Sequence, residues 1–430
     1  MLARRSPTKK DIERLEKKLA LPPEFLDGLP AAVNKKLRAA YEEARLLQLE
    51  GYAAQSAERH REAIDRFTRA LTLAENDSQR MALHVLRGNS HLFVSEYEQA
   101  QRDYDEVLSL CERMSSTEDV AEARAVALGN LGLVYADRGE PDKAEEHQRK
   151  ALWIDREIGD RLGEAAALGN LGLVYSNRGQ LDKAEECHKS ALNILGEMGD
   201  RLGQASQLGN LGLVYGKRGA LDAAKECFEL ALSTHEENGD SLGQAGDLGN
   251  LGIVYAECGE LDKAEEHHKR ALELDMLIGN RHGEAQDLNN LGIVYAHIGD
   301  LDRAEAYHVK ALSIAREIGD RANEADALGY LGFVHGNRAE LDKAEEHHRK
   351  ALEINREIGN RLNEANALGN LGMVYHDRGD MERATDHLRQ ARAIYEEIGA
   401  GGKGPEIVRR ALEALNEVEG QQRDGGEEEL

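Results

Sequence analysis

The chain has 430 residues, with 80 acidic and 55 basic side chains and a formal net charge of −25. That charge would repel nucleic acid and anionic membranes, so the composition predicts neither of them as a partner. An apolar fraction of 41% is enough for a hydrophobic core, and the 4% of aromatic residues means that the core is built from Leu, Ala, Ile and Val.

Residues 1–29 are predicted to form a charged helix and a linker, the helix ending before Pro22 and Pro23. No apolar stretch follows the basic residues, as it would in a secretory signal, and acidic residues such as Asp11 argue against a mitochondrial transit peptide. No apolar run reaches the roughly 20 residues that span a bilayer. We therefore expect a cytoplasmic protein with no membrane insertion.

A short string recurs every 40 residues through most of the chain. It is LGNLGLVY at Leu128, Leu168 and Leu208, and close variants begin at Leu248, Leu288, Leu328 and Leu368. A second string, DKAEEH or DKAEEC, has the same period and begins at Asp142, Asp182, Asp262 and Asp342. A fixed period of this length indicates a repeat architecture.

Each repeat is predicted to form two helices. Leu168, Leu171 and Tyr175 have helical spacing, and Ala184 and Ala191 lie on one face of a second helix. A single helix pair cannot bury its apolar stripe, so neighbouring pairs must stack. The predicted fold class is therefore all-α, an α-solenoid.

The turns between the helices carry their own signals. Gly199 is placed to end a helix in the left-handed conformation, and Asp200 is placed to cap the next one. Pro141 falls in the first turn of a second helix, where its missing N–H does no harm.

The repeat resembles the tetratricopeptide repeat (TPR) at Leu128, Leu131, Gly132, Tyr135, Gly139, Ala144 and Ala151. Two earlier and more divergent units fit the same frame, one with Gly51 and Phe67 and the other with Gly88 and Tyr104. The resemblance implies a right-handed superhelix of about nine TPR hairpins within residues 30–403. The extended spacing is similar to the arrays of Pins-type spindle-orientation adaptors and of kinesin light chain.

The C-terminal residues are predicted to close the array. Residues 404–419 form an amphipathic helix with Val408, Leu412 and Leu415 on one face, which would shield the last apolar surface. Residues 420–430 are polar and acidic, and we expect a disordered tail.

Histidines at one repeated place raise the question of a metal site. They are His188, His268, His308 and His348. Equivalent side chains of stacked helices are at least roughly 8–10 Å apart, whereas metal–imidazole bonds are near ~2 Å. We therefore predict packed, half-buried rings, with no metal and no cofactor.

Catalytic groups are not predicted either. Cys187 and Cys227 lie one repeat apart, too far for a disulfide, and should be free thiols. Paired carboxylates such as Glu145 and Glu146 recur in parallel copies, which favours a solvated outer face over acid–base chemistry. The chain is therefore not expected to be an enzyme.

In TPR arrays the first helix of each repeat lines the concave groove, and the resemblance implies the same here. The predicted groove has an asparagine ladder of Asn130, Asn170, Asn210, Asn250, Asn290 and Asn370. Three residues further on it has an apolar ladder of Leu133, Leu173, Leu213, Ile253, Ile293, Phe333 and Met373. An amide both donates and accepts, so a row of asparagines can bind a peptide backbone of any sequence. The alternative is that these asparagines cap neighbouring carbonyls or bridge adjacent repeats, and both roles can hold together with ligand binding.

The eighth repeat departs from the pattern. Tyr330 replaces the asparagine, Phe333 enters the apolar ladder, and Asp326 lies one turn before Tyr330. We predict an aromatic specificity pocket there, although simple drift of a duplicated unit explains the change as well. Because the groove lacks basic residues and the chain is acidic, the expected ligand has basic and apolar side chains.

The main hypothesis is a non-enzymatic scaffold or adaptor that binds an extended or helical peptide segment of another protein in the groove. The alternative is a self-assembling structural array that oligomerises through its ends or tail. The near identity of the repeats also fits a recently duplicated or engineered array without an evolved ligand.

Overall fold

The computed structural model describes residues 46–48, 50–51, 59–398 and 404–415. The predicted charged helix and linker of residues 1–29 and the predicted tail of residues 420–430 lie outside the described residues. The chain divides into two compact units, Met1–Cys227 and Phe228–Leu430.

Helices follow one another in hairpins, so the fold is an all-α solenoid, as predicted. The first unit contains α1 (His60–Leu73), α2 (Asp77–Phe93), α3 (Tyr97–Arg113), α4 (Glu118–Asp137), α5 (Pro141–Ile158), α6 (Arg161–Asn177), α7 (Leu181–Met198) and α8 (Arg201–Lys217). The boundary between the units falls within α9 (Leu221–Asn238). The second unit contains α10 (Ser241–Glu257), α11 (Leu261–Ile278), α12 (Arg281–Ile298), α13 (Leu301–Ile318), α14 (Arg321–Asn337), α15 (Leu341–Glu357), α16 (Arg361–Asp377), α17 (Met381–Glu397) and α18 (residues 404–415). Up to α17, even-numbered helices are the first and odd-numbered helices the second of each hairpin.

The predicted turn signals act as expected. Gly199 ends α7 with φ 70°, and the Asp200 carboxylate accepts a hydrogen bond from the Gly203 N–H at 3.0 Å. Pro141 occupies the first position of α5. Ala339 and Ser95 depart from the rule, because they take φ 59° and 60° at the turn where repeats such as those of Gly299 and Gly379 have a glycine.

In the hairpins that lie within one unit, the first helix meets a bulky side chain of the second helix at a glycine. A Cβ on Gly172 would lie 2.5 Å from Nε2 of His188, and one on Gly332 would lie 2.5 Å from Cε1 of His348. The rings of His188 and His348 are 0% and 3% exposed. The prediction of half-buried rings therefore underestimated their burial. Burial, with a smaller effect of His347, lowers the pKa of His348 to about 4, so this ring is neutral at physiological pH.

Ion pairs connect successive hairpins. Arg178, at the end of α6, pairs with Asp142 at 2.6 Å and with Glu145 at 2.8 Å, both on α5. Glu145 also accepts a hydrogen bond from the Tyr175 hydroxyl at 2.9 Å. The prediction that Glu145 and Glu146 share a solvated face is wrong for Glu145, because its carboxylate joins two hairpins.

Helix α18 packs on the last hairpin. Val408, Leu412 and Leu415 are buried in the same cluster as Leu371 and Leu388. This packing agrees with the capping role predicted for residues 404–419, of which residues 416–419 lie outside the described part.

Two further sequence predictions concern cysteines and membranes. Cys187 and Cys227 are free thiols, as predicted, and so are Cys111 and Cys258.

None of the described helices combines the length and the apolar character needed to traverse a lipid bilayer.

Candidate functional site

Side-chain hydrogen bonds join successive first helices along one face. Asn363 of α16 donates from Nδ2 to Oδ1 of Asp326 on α14 at 3.0 Å. In the first unit, Asn130 of α4 donates to Oδ1 of Asn89 on α2 at 2.9 Å. Within each unit, these bonds join the same face of successive first helices. This face carries the asparagine and apolar ladders. We call it the ladder face.

The asparagine ladder of the first unit has members of two kinds. Asn130 is tied to Asn89, which also accepts from the Tyr104 hydroxyl at 2.8 Å, so the alternative of a bridge between repeats holds at this residue. Asn170 is half-buried and Asn210 is 8% exposed. Neither of these two amides forms a side-chain hydrogen bond with any described residue.

The second unit has three ladder asparagines, Asn250, Asn290 and Asn370. The first two are half-buried and Asn370 is exposed. Their amides form no side-chain hydrogen bond within the described part of the chain. The second unit therefore presents a set of amide donors and acceptors that the fold itself leaves unused.

The apolar ladder is exposed along part of its length. Leu213, Ile253, Phe333 and Met373 are 38%, 44%, 54% and 36% exposed, while Leu173 and Ile293 are half-buried. Leu133 was wrongly assigned to this ladder, because it is buried in the core of the first unit together with Val107 and Leu131. Core packing, rather than ligand contact, explains an apolar residue at that position.

The aromatic specificity pocket of the eighth repeat stays a prediction, and the structure gives the surroundings of its three residues. The Tyr330 ring stacks on the buried ring of His308, with centroids 5.1 Å apart and an interplanar angle of 20°. Much of Tyr330 is therefore occupied by packing between repeats. Phe333 projects to solvent, and Asp326 is half-buried beside the two aromatic residues on the same helix.

Sequence reasoning missed a polar network that holds Asp326 in place. Asn363, which donates to Asp326, accepts from Nδ2 of Asn366 at 3.1 Å. Asn366 in turn accepts from the Tyr395 hydroxyl at 2.6 Å. The signal was present in the sequence, because Asn363 stands where earlier repeats have a glycine such as Gly203.

Asp326 is the charged member of its row on the second unit. The equivalent residues of the other described first helices there are Gly246, Gln286 and Asn366. Burial, and then the nearby carboxyl of Asp320, raises the pKa of Asp326 to about 6. Burial, and then the Asp326 carboxyl, raises the pKa of Tyr330 to about 12. The carboxylate is therefore charged at neutral pH and the phenol keeps its proton.

Metal ligation was not expected from the sequence. Within the part of the chain that the structure describes, no group of three or more His, Cys, Asp and Glu residues could hold a metal ion.

Comparison with known families gives a match along most of the chain. The family model of the tetratricopeptide repeat matches residues 79–157, 123–197, 163–237, 203–276, 247–317 and 323–397. Among curated proteins, none matches the chain significantly in sequence.

Several solved structures are similar to this chain. A Rap protein complexed with Competence and Sporulation Factor has 14% identity and a TM-score of 0.60, covering 83% of this chain and 99% of that one. The Rap conjugation gene regulator of plasmid pLS20, in complex with the Phr* peptide, has 18% identity and a TM-score of 0.56, covering 83% and 96%. BtubC (BKLC) from P. vanneervenii has 25% identity and a TM-score of 0.44, covering 52% and 91%. At such low identity the two Rap structures show a shared helical-repeat fold.

Proposed function

The chain belongs to the tetratricopeptide repeat family, and on that premise we propose that it is a non-enzymatic scaffold that binds an extended peptide segment along the ladder face. One observation carries the proposal. Asn250, Asn290 and Asn370 have amides without a hydrogen-bond partner among the described residues, and the apolar side chains beside them on the same helices are exposed at Ile253 and Met373 and half-buried at Ile293.

The amides match what a peptide backbone offers. Each asparagine has two N–H donors and one carbonyl acceptor, and an extended backbone presents its own donors and acceptors in alternation. Hydrogen bonds to the backbone do not depend on the side chains of the ligand. The asparagine ladder would therefore supply affinity, and the apolar ladder would supply selectivity.

The exposed apolar residues are not needed for packing. The core stripe of α14, for example, is formed by Leu328, Leu331 and Val334, which are buried, whereas Phe333 is 54% exposed. Exposed apolar side chains that recur at one position of the first helices are therefore available for contact with a ligand.

The chemistry of the face favours binding over catalysis. Amide and aliphatic side chains are poor acids, bases and nucleophiles, so the ladder positions carry little that could accelerate a reaction. Two of the similar structures are named as complexes, one with Competence and Sporulation Factor and one with the Phr* peptide, which supports a peptide ligand for this fold.

The test replaces Asn250, Asn290 and Asn370 by Ala in one variant. A displayed library of short random peptides is selected on the wild-type protein, and the affinity of an enriched peptide is measured by fluorescence anisotropy. With about 1 kcal/mol for each lost hydrogen bond, the variant should bind the peptide on the order of a hundredfold more weakly.

The matched control is Asn193→Ala, because Asn193 is an exposed asparagine on a second helix. It should leave the peptide affinity unchanged. Equal affinity for the wild type and the triple variant, or a library without any enriched peptide, would contradict the proposed function.

A further inference from the structure

Three side chains of the eighth repeat form one stripe on α14. Asp326, Tyr330 and Phe333 are spaced by four and three residues, which places them on the same face of the helix. The six other repeats from Leu128 onward have an asparagine and a non-aromatic apolar residue where Tyr330 and Phe333 stand. The stripe is therefore a local modification of the ladder face.

The Asp326 carboxylate has unused capacity for hydrogen bonds. It accepts one from Asn363 at 3.0 Å and forms no ion pair with a described residue. A carboxylate has about four lone-pair sites, so most of this capacity is left over. The network from Tyr395 through Asn366 fixes Asn363, and hence one oxygen of the carboxylate, before any ligand arrives.

The carboxylates near Asp326 have basic side chains as partners, whereas Asp326 has none among the described residues. Asp320 pairs with His282 at 2.5 Å, and Glu324 accepts from Arg316 Nε at 2.9 Å and pairs also with Arg321. A half-buried charge without a counter-charge costs free energy that a cation brought by a ligand would recover.

The aromatic residues provide surfaces for the rest of such a cationic side chain. The Tyr330 ring is fixed by its stacking on His308, and its hydroxyl has no hydrogen-bond partner among the described residues. Phe333 is 54% exposed one turn further along the helix. Aromatic faces attract ammonium and guanidinium groups and also cover their aliphatic stems.

We propose that Asp326, Tyr330 and Phe333 form a specificity site for one lysine or arginine side chain of the bound segment. Asp326 supplies the counter-charge, and the two aromatic residues cover the stem. The inference rests on the proposed function, since it names the side chain that the ladder face selects. Charge complementarity makes the bound side chain basic, because Asp326 is negatively charged. The equivalent residues of the other described first helices in the second unit are uncharged, so the preference belongs to this repeat.

The experiment selects the displayed library of random peptides in parallel on the wild type, on Asp326→Asn and on Asp262→Asn. Asp262 is an exposed carboxylate of α11 without an ion pair to a described residue, so its variant removes the same charge elsewhere in the unit. Lysine or arginine should be enriched at one fixed position on the wild type and on Asp262→Asn. The enrichment should be lost on Asp326→Asn.

Affinities then give the size of the effect. A synthetic peptide from the wild-type selection should bind Asp326→Asn about tenfold or more weakly, as expected for a charge-assisted hydrogen bond. Its affinity for the wild type should fall as the pH is lowered through about 6, and Asp326→Asn should show no such step. Phe333→Ser should weaken binding of the same peptide. Melting curves of each variant check that it is folded.

The outcomes separate the two proposals. Selected peptides without a preferred cation, or unchanged binding to Asp326→Asn, would overturn the specificity site. If those peptides still lose affinity for the triple asparagine variant, the proposed function stands without it. Peptides that are insensitive to both sets of substitutions would remove both proposals.

Discussion

The imidazole ring of His348 lies against the backbone of Gly332, so closely that a Cβ on the glycine would be 2.5 Å from the ring. The same relationship joins Gly252 to His268 at 2.6 Å, and Gly372 keeps a 2.6 Å approach where Leu388 replaces the histidine. The side chain at this place of the second helix therefore sets the spacing of the hairpin, and glycine makes room for it.

The first prediction compares two glycines of α14. Gly332→Ala should lower the thermal midpoint by the equivalent of about 1–3 kcal/mol, because the new Cβ would lie 2.5 Å from the buried His348 ring. Gly329→Ala should raise the midpoint modestly, because nothing lies within 4 Å of its Cβ and alanine favours the helix by about 0.5–1 kcal/mol. Circular dichroism melts measure both. Equal effects of the two substitutions would show that the ring does not set the spacing.

The second prediction concerns a buried acid in the core of the second unit. Burial, and then the carboxyl of Asp275, raises the pKa of Asp287 to about 8. The nearby His268, 3.8 Å away, is largely neutral because burial lowers its pKa to about 4. The folded state therefore holds the Asp287 proton more tightly than the unfolded chain, whose carboxyl has the ordinary pKa of 3.8. The contribution of Asp287 to the stability of the fold is therefore fully present below pH 3.8 and is lost as the pH rises through about 8.

Asp287→Ala, which introduces the residue that other repeats have at Ala327 and Ala367, should therefore stabilise the protein near pH 8. The gain should shrink towards acidic pH, where the aspartic acid is already neutral. Melting curves at several pH values measure it, with exposed Asp262→Asn as the control. A loss of stability near pH 8 would mean that the charged form is compensated in the fold.

The third prediction concerns the turn between α14 and α15. Ala339 has φ 59°, a left-handed conformation that costs a residue with a Cβ about 1 kcal/mol, whereas Gly379 occupies the same turn of the next repeat with φ 79°. Ala339→Gly should raise the thermal midpoint, and Gly379→Ala should lower it. An Ala339→Gly variant that melts below the wild type would show that the strain is compensated locally.

The sequence predicted the features that depend on near neighbours along the chain. Helical spacing, the glycine at 199 and the cap at Asp200 are local signals, and each repeat carries its own copy. The environment of a ladder residue depends instead on the hairpin beside it. Asn130 has the same place in its repeat as Asn170, yet it is tied to Asn89 because the divergent second repeat offers an asparagine there.

The same limit explains the other differences between sequence and structure. Leu133 is buried because the neighbouring hairpin packs over it. The 40-residue period of the sequence alone does not show which ladder residues are packed in this way. The network at Asp326 depends on Asn363 and Tyr395, which lie in a different repeat and on different helices. Comparing the repeats position by position would reveal these substitutions, but not their contacts.

The last prediction tests whether Asp326 serves the fold or a ligand. A residue kept for binding can carry an energetic cost in the free protein. Burial and then Asp320 raise the pKa of Asp326 to about 6, above the ordinary value of 3.8, so its contribution to stability is lost as the pH rises through about 6. Asp326→Asn removes the charge but keeps an oxygen that can accept from Asn363.

The variant should therefore melt at a higher temperature than the free wild type at neutral pH, and the difference should disappear well below pH 6. Asp320→Asn is the contrasting variant, because hydrogen bonds from His282 and Asn323 hold the pKa of Asp320 at about 2 in spite of its burial. It should destabilise the protein at neutral pH. A lower midpoint for Asp326→Asn would mean that the carboxylate stabilises the fold, and the case for a ligand cation would lose its energetic basis.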